Sequence, residues 1–333
     1  MLETFLIAFF SGLILNAFFL RLARRTNLFK KRLEAGAFGV SKLGGVALAL
    51  SFFLGVKISL IARGLLGRRE ILLGVGLAAA FLLGLADDLL NFEPLKKLFL
   101  QLLIALFFVF FVIKTQIALL SPAANAVLSI LWFLLLMNAF NFLDILDGLA
   151  AGISVLCAAT FLYLCAATKN MTGGVLAAGL LASNLSFLFF NVPPARLYMG
   201  DMGSLFNGCG FAALAILISY ATQGHEIALF VPLLVLALPL YDLFFVMVVR
   251  WSKRKPLTKK SRDHFVLRLM DRGMPLRKTV FLMCAFNFLF NAAAVLLLRS
   301  SNTPGIVLLL AAVSGWLVFA YKITEARTDG AAL

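Results

Sequence analysis

The polar residues that could do chemistry in this chain fall in three short clusters, each at the end of an apolar run. GLADDLLNFEPLKK (84–97) sets Asp87 beside Asp88. NAFNFLDILDGLAAG (138–152) places Asn138, Asn141, Asp144 and Asp147 three residues apart. FFNVPPARLYMGDMGSLFNG (189–208) carries Asn191 and a glycine-flanked Asp201. An ionisable group at membrane depth is costly, and its default reading is functional. If Asp87, Asp88, Asp144, Asp147 and Asp201 meet, they repel one another unless a cation stands among them. With no His or Cys cluster in reach, an oxygen-only set selects a hard ion, Mg²⁺ or Mn²⁺, and such ions serve phosphate chemistry. A single acid of this kind would be read as a helix cap or a partner for a loop lysine. Three clusters on one face weigh against that reading.

Spacing divides the tasks. Steps of three on an α-helix drift across about half the circumference, so Asn138 through Asp147 cannot all address one ion from a regular helix. A break near Asp147-Gly148 is expected, because glycine permits unusual backbone. Such a break would let some of the ladder meet metal and the rest meet substrate. Asp87 and Asp88 diverge by about 100° on a helix, so one faces a metal while the other takes a different task, such as accepting a proton. After Pro193-Pro194, the segment Gly200-Asp201-Met202-Gly203-Ser204 reads as a loop just before a helix. Gly200 and Ser204 let backbone approach a phosphate, and the helix N-terminus that follows favours an anion.

The elements that hold these residues are read from composition. The chain is 62% hydrophobic, with 34 phenylalanines, against about 45–50% apolar for soluble proteins. Mean hydropathy is +1.02. The apolar residues come in eleven runs near 4–20, 43–62, 71–87, 98–117, 125–141, 150–168, 173–190, 204–222, 227–249, 279–298 and 305–321. They are apolar all round and do not alternate, which argues against a β-barrel. The expected fold is an all-α integral membrane protein, a polytopic bundle of about 11 transmembrane helices forming a single domain over 1–333.

Basic residues set the orientation. The segment 21–42 holds seven Lys or Arg and 250–278 holds eleven. With the N-terminus outside and the C-terminus cytoplasmic, 23 of the 30 basic residues are cytoplasmic. The cytoplasmic loops are then 21–42, 88–97, 142–149, 191–203 and 250–278, and all three acidic clusters reach the same surface. The net charge of +15 follows from topology and anionic lipid, and no aromatic-and-basic pattern points to nucleic acid. The first run lacks a basic n-region and reads as an uncleaved span. Cys157, Cys165, Cys209 and Cys284 lie inside apolar runs and read as small buried hydrophobes.

GLADDLLNFEPLKKLFLQ, NAFNFLDILDGLAAG, LFFNVPPARLYMGDMGSLFNG and SKLGGVAL (41–48), in that order and spacing, resemble the polyprenyl-phosphate N-acetylhexosamine-1-phosphate transferase family. The family includes the phospho-MurNAc-pentapeptide translocase and bacterial GlcNAc-1-phosphate transferases. The resemblance implies Mg²⁺-dependent transfer of a sugar-1-phosphate from a UDP-amino sugar to a polyprenyl phosphate, releasing UMP. It implies a multi-pass protein of the bacterial inner membrane with a cytoplasmic active site, and a homodimer is compatible with it. Asp87 and Asp88 match the family's aspartate pair, the first being the favoured acid/base. Asn141, Asp144 and Asp147 match its N-x-x-D-x-x-D-G ladder; Asn141 and Asp201 occupy the metal positions. Lys97 matches a lysine that meets the lipid phosphate, and Asn191 an asparagine near the nucleotide.

The chain departs from the family in SRDHFVLRLMDRGM (261–274). His264 matches the first histidine of a histidine-rich loop, and Val266 and Leu267 replace the others. His264 is either an ordinary interfacial side chain or a pyrophosphate or sugar contact helped by Arg262 and Arg268. NLFKKRLEAGAFG also stands in place of the family's D-x-P-x-x-R-K segment. These departures bear on which UDP-sugar is used. The rival readings are an ion-coupled transporter, a CDP-alcohol phosphotransferase and an inactive relative. A transporter would hold its acids near mid-membrane. The phosphotransferase motif needs an arginine where LAAG follows Asp147-Gly148, and the intact carboxylate set speaks against inactivity.

Overall fold

The computed structural model describes residues 1–25, 34–35, 40–218, 220, 225–254 and 264–325. The regular secondary structure of the described residues is helical except for a two-residue antiparallel pairing of β1 (Glu34–Ala35) with β2 (Val40–Ser41). It folds as two compact units, Met1–Ile218 and Ser219–Leu333.

The first unit contains α1 (Leu2–Arg25), α2 (Gly44–Ala62), α3 (Arg68–Leu90), α4 (Pro94–Phe107), α5 (Pro122–Leu143), α6 (Leu149–Ala167), α7 (Met171–Asn191) and α8 (Gly200–Leu217). α4 continues into a π-helical turn, Phe108–Val112, making one span. Two helices, α5 and α7, start at side-chain caps. Ser121 Oγ accepts from Ala124 N–H ahead of Pro122, and Asn170 Oδ1 accepts from Gly173 N–H. α3 ends at Asn91, whose φ of 51° turns the chain, and Pro94 then opens α4.

The second unit contains α9 (Val231–Val235), α10 (Ala237–Ser252), α11 (Phe265–Asp271), α12 (Leu276–Arg299) and α13 (Asn302–Glu325). A 3₁₀ turn, Glu226–Phe230, leads into α9, and this segment meets α10 at a 74° bend. Each of the eleven apolar runs is helical over most of its described residues. Among the described residues nine helices are long and apolar enough to cross a membrane; the run 227–249 is a bent pair and 305–321 a shorter apolar helix. The protein is a multi-pass membrane protein. All four cysteines are free thiols.

The connections are shorter than the sequence suggested. α3 runs to Leu90 and α4 begins at Pro94, so Lys97 lies in the first turns of a helix and not in a loop 88–97. α8 starts at Gly200, four residues before the expected boundary, so Asp201 is also helical. α5 ends at Leu143 and α6 begins at Leu149, so the break spans 144–148 and includes the expected Asp147-Gly148. Gly148 still has the expected unusual backbone, with φ +78° at the start of α6.

α8 is the axis of the first unit, with 89% of its span buried, and it packs against both α3 and α5. Small residues permit this approach. A Cβ on Gly84 of α3 would stand 2.3 Å from Asp201 O and 2.4 Å from Met202 Cα. A Cβ on Gly208 of α8 would stand 2.5 Å from Leu136 O. Gly84 lies about one turn from Asp87 and Gly208 about two turns from Asp201, so these backbone contacts set how closely the clusters meet. Farther into the bundle, Asn184 and Asn207 exchange amide hydrogen bonds of 3.0 and 2.8 Å and satisfy polar groups that lipid could not.

Gly84→Ala should therefore force α3 from α8 and lower the melting temperature in detergent, at a cost of about 1–3 kcal/mol. Gly74→Ala, on the same helix where a Cβ meets nothing within 4 Å, should melt at or above the parent temperature, since alanine is the better helix former.

Candidate active site

The ends of α3 and α5 and the starts of α4 and α8 bring the predicted residues to one end of the first unit. Lys97 Nζ stands at the centre. It lies 2.8 Å from Asp87 Oδ2 and 2.7 Å from Asp201 Oδ2, and donates to Asn141 Oδ1 at 3.1 Å. Asn141 Nδ2 donates to Asp201 Oδ1 at 2.8 Å and to Ser204 Oγ at 3.0 Å. Asp87, Lys97, Asn141, Asp201 and Ser204 thus form one hydrogen-bonded group drawn from four helices.

Asp87 closes its own helix. Its Oδ1 accepts from Phe92 N–H at 2.8 Å, and its carbonyl accepts from Asn91 N–H at 2.8 Å. Asp88 points elsewhere, as neighbours on a helix must. Its oxygens take Lys42 Nζ at 2.6 Å and Met202 N–H at 3.1 Å. The side chain of Asp88 is 0% exposed and that of Asp201 is 32% exposed, so Asp201 can meet a soluble ligand and Asp88 acts as a positioning group. A Cβ on Gly200 would fall 2.6 Å from Asp88 Oδ2, and Gly200 has φ +67°. Only glycine fits that turn, which brings the start of α8 onto Asp88.

The ladder of α5 fans out as its spacing requires. Asn141 enters the cluster, whereas Asn138 Nδ2 donates to Gln101 Oε1 at 2.9 Å and ties α5 to α4. Asp147 Oδ2 accepts from Ala195 N–H at 2.9 Å and pins the segment between α7 and α8. Asn191 is buried and braces the same segment, accepting from Gly148 N–H at 2.9 Å and donating to Leu197 O at 2.9 Å. These contacts place Asn138, Asp147 and Asn191 in the scaffold around the cluster. Asp144, in the turn after α5, is half-buried. Desolvation foremost, then the nearby Asp201 and Asp88 carboxylates, raise its carboxyl to about 7. Burial and the charges of Asp147 and Asp144 also raise the Tyr198 hydroxyl above its ordinary value.

Among the described residues no three His, Cys, Asp or Glu side chains form a metal-holding group by themselves. The oxygens of Asp87, Asp201 and Asn141 instead surround one ammonium, so the cluster is an oxygen-lined seat for positive charge. Asp201 and Asn141, the two residues assigned to metal, share it.

His264 and Arg268 belong to the second unit. His264 is buried there, its Nδ1 2.9 Å from Asp242 Oδ2, and Phe265 N–H donates to Asp242 Oδ1 at 3.2 Å. Arg268 is buried with its guanidinium 4.9 Å from the Phe245 ring centre. Arg262 lies outside the described residues. Sequence reasoning missed Lys42 and Asp242. Lys42 is the second residue of the quoted SKLGGVAL segment, and its charge beside the glycine pair was the available signal. Asp242 is a lone acid inside an apolar run, the feature that singled out the other acids.

Fold and site together define a class. The glycosyl transferase family 4 model matches residues 71–219, a stretch that carries α4 through α8 and all of α3 but its first three residues, and the chain belongs to that family. A probable undecaprenyl-phosphate N-acetylglucosaminyl 1-phosphate transferase of Bacillus subtilis is 30% identical over 266 residues, covering 77% of this chain and 73% of the relative. The undecaprenyl-phosphate alpha-N-acetylglucosaminyl 1-phosphate transferase of Thermotoga maritima is 26% identical, covering 63% and 65%. The phospho-N-acetylmuramoyl-pentapeptide-transferase of Halalkalibacterium halodurans is 28% identical, covering 65% and 74%.

Asp144 supplies a pH test. Its raised carboxyl holds a proton in the folded protein between about pH 4 and 7, where the unfolded chain has already lost it. The folded state then binds more protons, so stability is greatest at the acid end of that window and falls as pH rises through 7. Melting in metal-free detergent should be higher at pH 5.5 than at pH 8, and Asp144→Asn should flatten the difference.

Proposed function

We propose that the chain transfers a sugar-1-phosphate, GlcNAc-1-phosphate in the first instance, from a UDP-N-acetylhexosamine to undecaprenyl phosphate at the cytoplasmic face of the bacterial cell membrane, releasing UMP. The product would start a cell-envelope glycan. The observation that carries this reading is the convergence of Asp87, Lys97, Asn141 and Asp201 on one position of positive charge at the ends of the spans. A lipid phosphate arrives at that depth. The names of the relatives point to the same acceptor.

In this reaction an oxygen of the lipid phosphate bonds to the sugar-bearing phosphorus of the UDP-sugar. The bond from that phosphorus to UMP breaks, and the electron pair leaves with UMP. Such a transfer needs positioning and neutralisation of charge more than covalent help. Lys97, on a flexible four-carbon stem, supplies a cation to the lipid phosphate. Asp201 and Asn141 would hold Mg²⁺, with Mn²⁺ as a substitute, and the ion when bound would neutralise the diphosphate. Asp87 is the proton acceptor for the lipid phosphate. Both its oxygens are hydrogen-bonded, which favours a held base over a nucleophile and hence direct displacement. Gly200 and Ser204, at the start of α8, offer the helix N-terminus to substrate phosphate. Asp144, in the turn after α5, would contact the substrate.

The reduced histidine segment, with only His264 kept, favours a second reading in which the donor is another UDP-sugar. A transporter is disfavoured because the acids stand at helix ends and not at mid-span.

Purified protein in detergent should release UMP from UDP-GlcNAc only when undecaprenyl phosphate and Mg²⁺ are both present. Asp201→Ala and Asp87→Asn should each reduce the rate by about a hundredfold or more. Direct displacement also requires that labelled UMP not exchange into UDP-GlcNAc without lipid phosphate. Failure across a panel of UDP-sugars would overturn the transferase reading, and a different active sugar would replace the donor.

A further inference from the structure

At the end of the first unit away from the carboxylates, α2, α3 and α7 enclose an apolar cavity of about 520 Å³. Its lining includes Phe52, Lys57, Leu66, Glu70, Gly74 and Leu176. Gly74 and Asp87 lie on one helix, thirteen residues or about 20 Å apart, so this cavity and the catalytic cluster belong to opposite leaflets. A cavity of this shape on a membrane bundle suits an acyl chain, and its rim says which lipid.

The rim is basic where the topology leaves least reason for it. Placing 23 of the 30 basic residues on the cluster side leaves seven, and four of these, Lys57, Arg63, Arg68 and Arg69, surround the turn from α2 to α3. The turn borders the cavity through Leu66 and Glu70. All four basic side chains are exposed, and none forms an ion pair with a described residue. Glu70, the acid beside them, is engaged by Gly67 N–H at 3.2 Å. Lys57 is the telling member: it sits within a transmembrane helix, where a lysine must reach for the interface or for an anion. Positive charge at a membrane surface attracts anionic headgroups.

We propose that this cavity is a binding site for an anionic phospholipid of the leaflet opposite the active site. An acyl chain occupies the apolar space, and the phosphate rests on Lys57 and the basic turn. The site is separate from the polyprenyl phosphate acceptor and does not depend on the transferase reading.

The test is native mass spectrometry of the full chain in detergent, titrated with phosphatidylglycerol or phosphatidylcholine of matched chains. The first adduct should favour phosphatidylglycerol by at least about fivefold. Lys57→Ala with Arg68→Gln and Arg69→Gln, all at exposed positions, should bring the two lipids to parity. Gly74→Leu, which projects into open space, should weaken both lipids alike by filling the cavity. Glycerophosphoglycerol, the headgroup without chains, should not compete. Equal binding of the two lipids to the parent protein, an unchanged preference in the triple variant or competition by the free headgroup would each overturn the proposal.

Discussion

Carboxylates gathered at the end of a membrane bundle need compensating positive charge, and Lys97 provides it. Its ammonium is within 2.8 Å of Asp87 and Asp201 and donates to Asn141. Removing one partner of such a buried group leaves uncompensated charge, at a typical cost of about 3–5 kcal/mol. The surrounding structure serves this arrangement. Gly84 and Gly208 bring α3 and α5 against α8, Pro94 opens α4 so that Lys97 reaches across, and Gly200 folds the start of α8 onto Asp88. Lys42 then neutralises Asp88 separately at 2.6 Å. Two lysines serve two adjacent aspartates because consecutive helical residues face different ways.

The same arrangement links stability to chemistry. A seat for positive charge lined by oxygens is what phosphoryl transfer uses to gather anionic partners. The partition between the aspartates is also clear in it: Asp88 is sealed from solvent and holds backbone, whereas Asp201 keeps an open face. The family match ends at residue 219, where the first compact unit gives way to the second. The buried Asp242–His264 pair lies beyond that shared stretch, and His264 belongs to one of the two segments in which the chain departs from the family pattern.

Much of this was legible in the sequence. Each of the eleven apolar runs is helical over most of its described residues, because hydropathy over twenty residues is a strong signal. The pairing of Asp87, Asn141 and Asp201 followed from placing three cluster-bearing helix ends on one surface. Boundaries were less legible: Asp201 and Lys97 were expected in loops and are helical, since polar residues at helix ends lower hydropathy without ending the helix. Asn138, Asp147 and Asn191 shared motifs with site residues yet hold amides and backbone of the scaffold. Which rotation of α5 faces the cluster depends on packing against α4 and α8, which spacing alone does not carry. Asp242 went unnoticed because it stood alone in an apolar run, and Lys42 because it was counted with the other basic residues of 21–42.

The most direct test of the central claim replaces Lys97 with methionine, keeping length and removing charge. The cluster would then hold carboxylates without their cation. The account predicts that Lys97→Met melts more than about 5 °C below the parent protein in metal-free detergent, and that millimolar Mg²⁺ restores most of the difference. A variant that melts with the parent protein, with or without Mg²⁺, would contradict it.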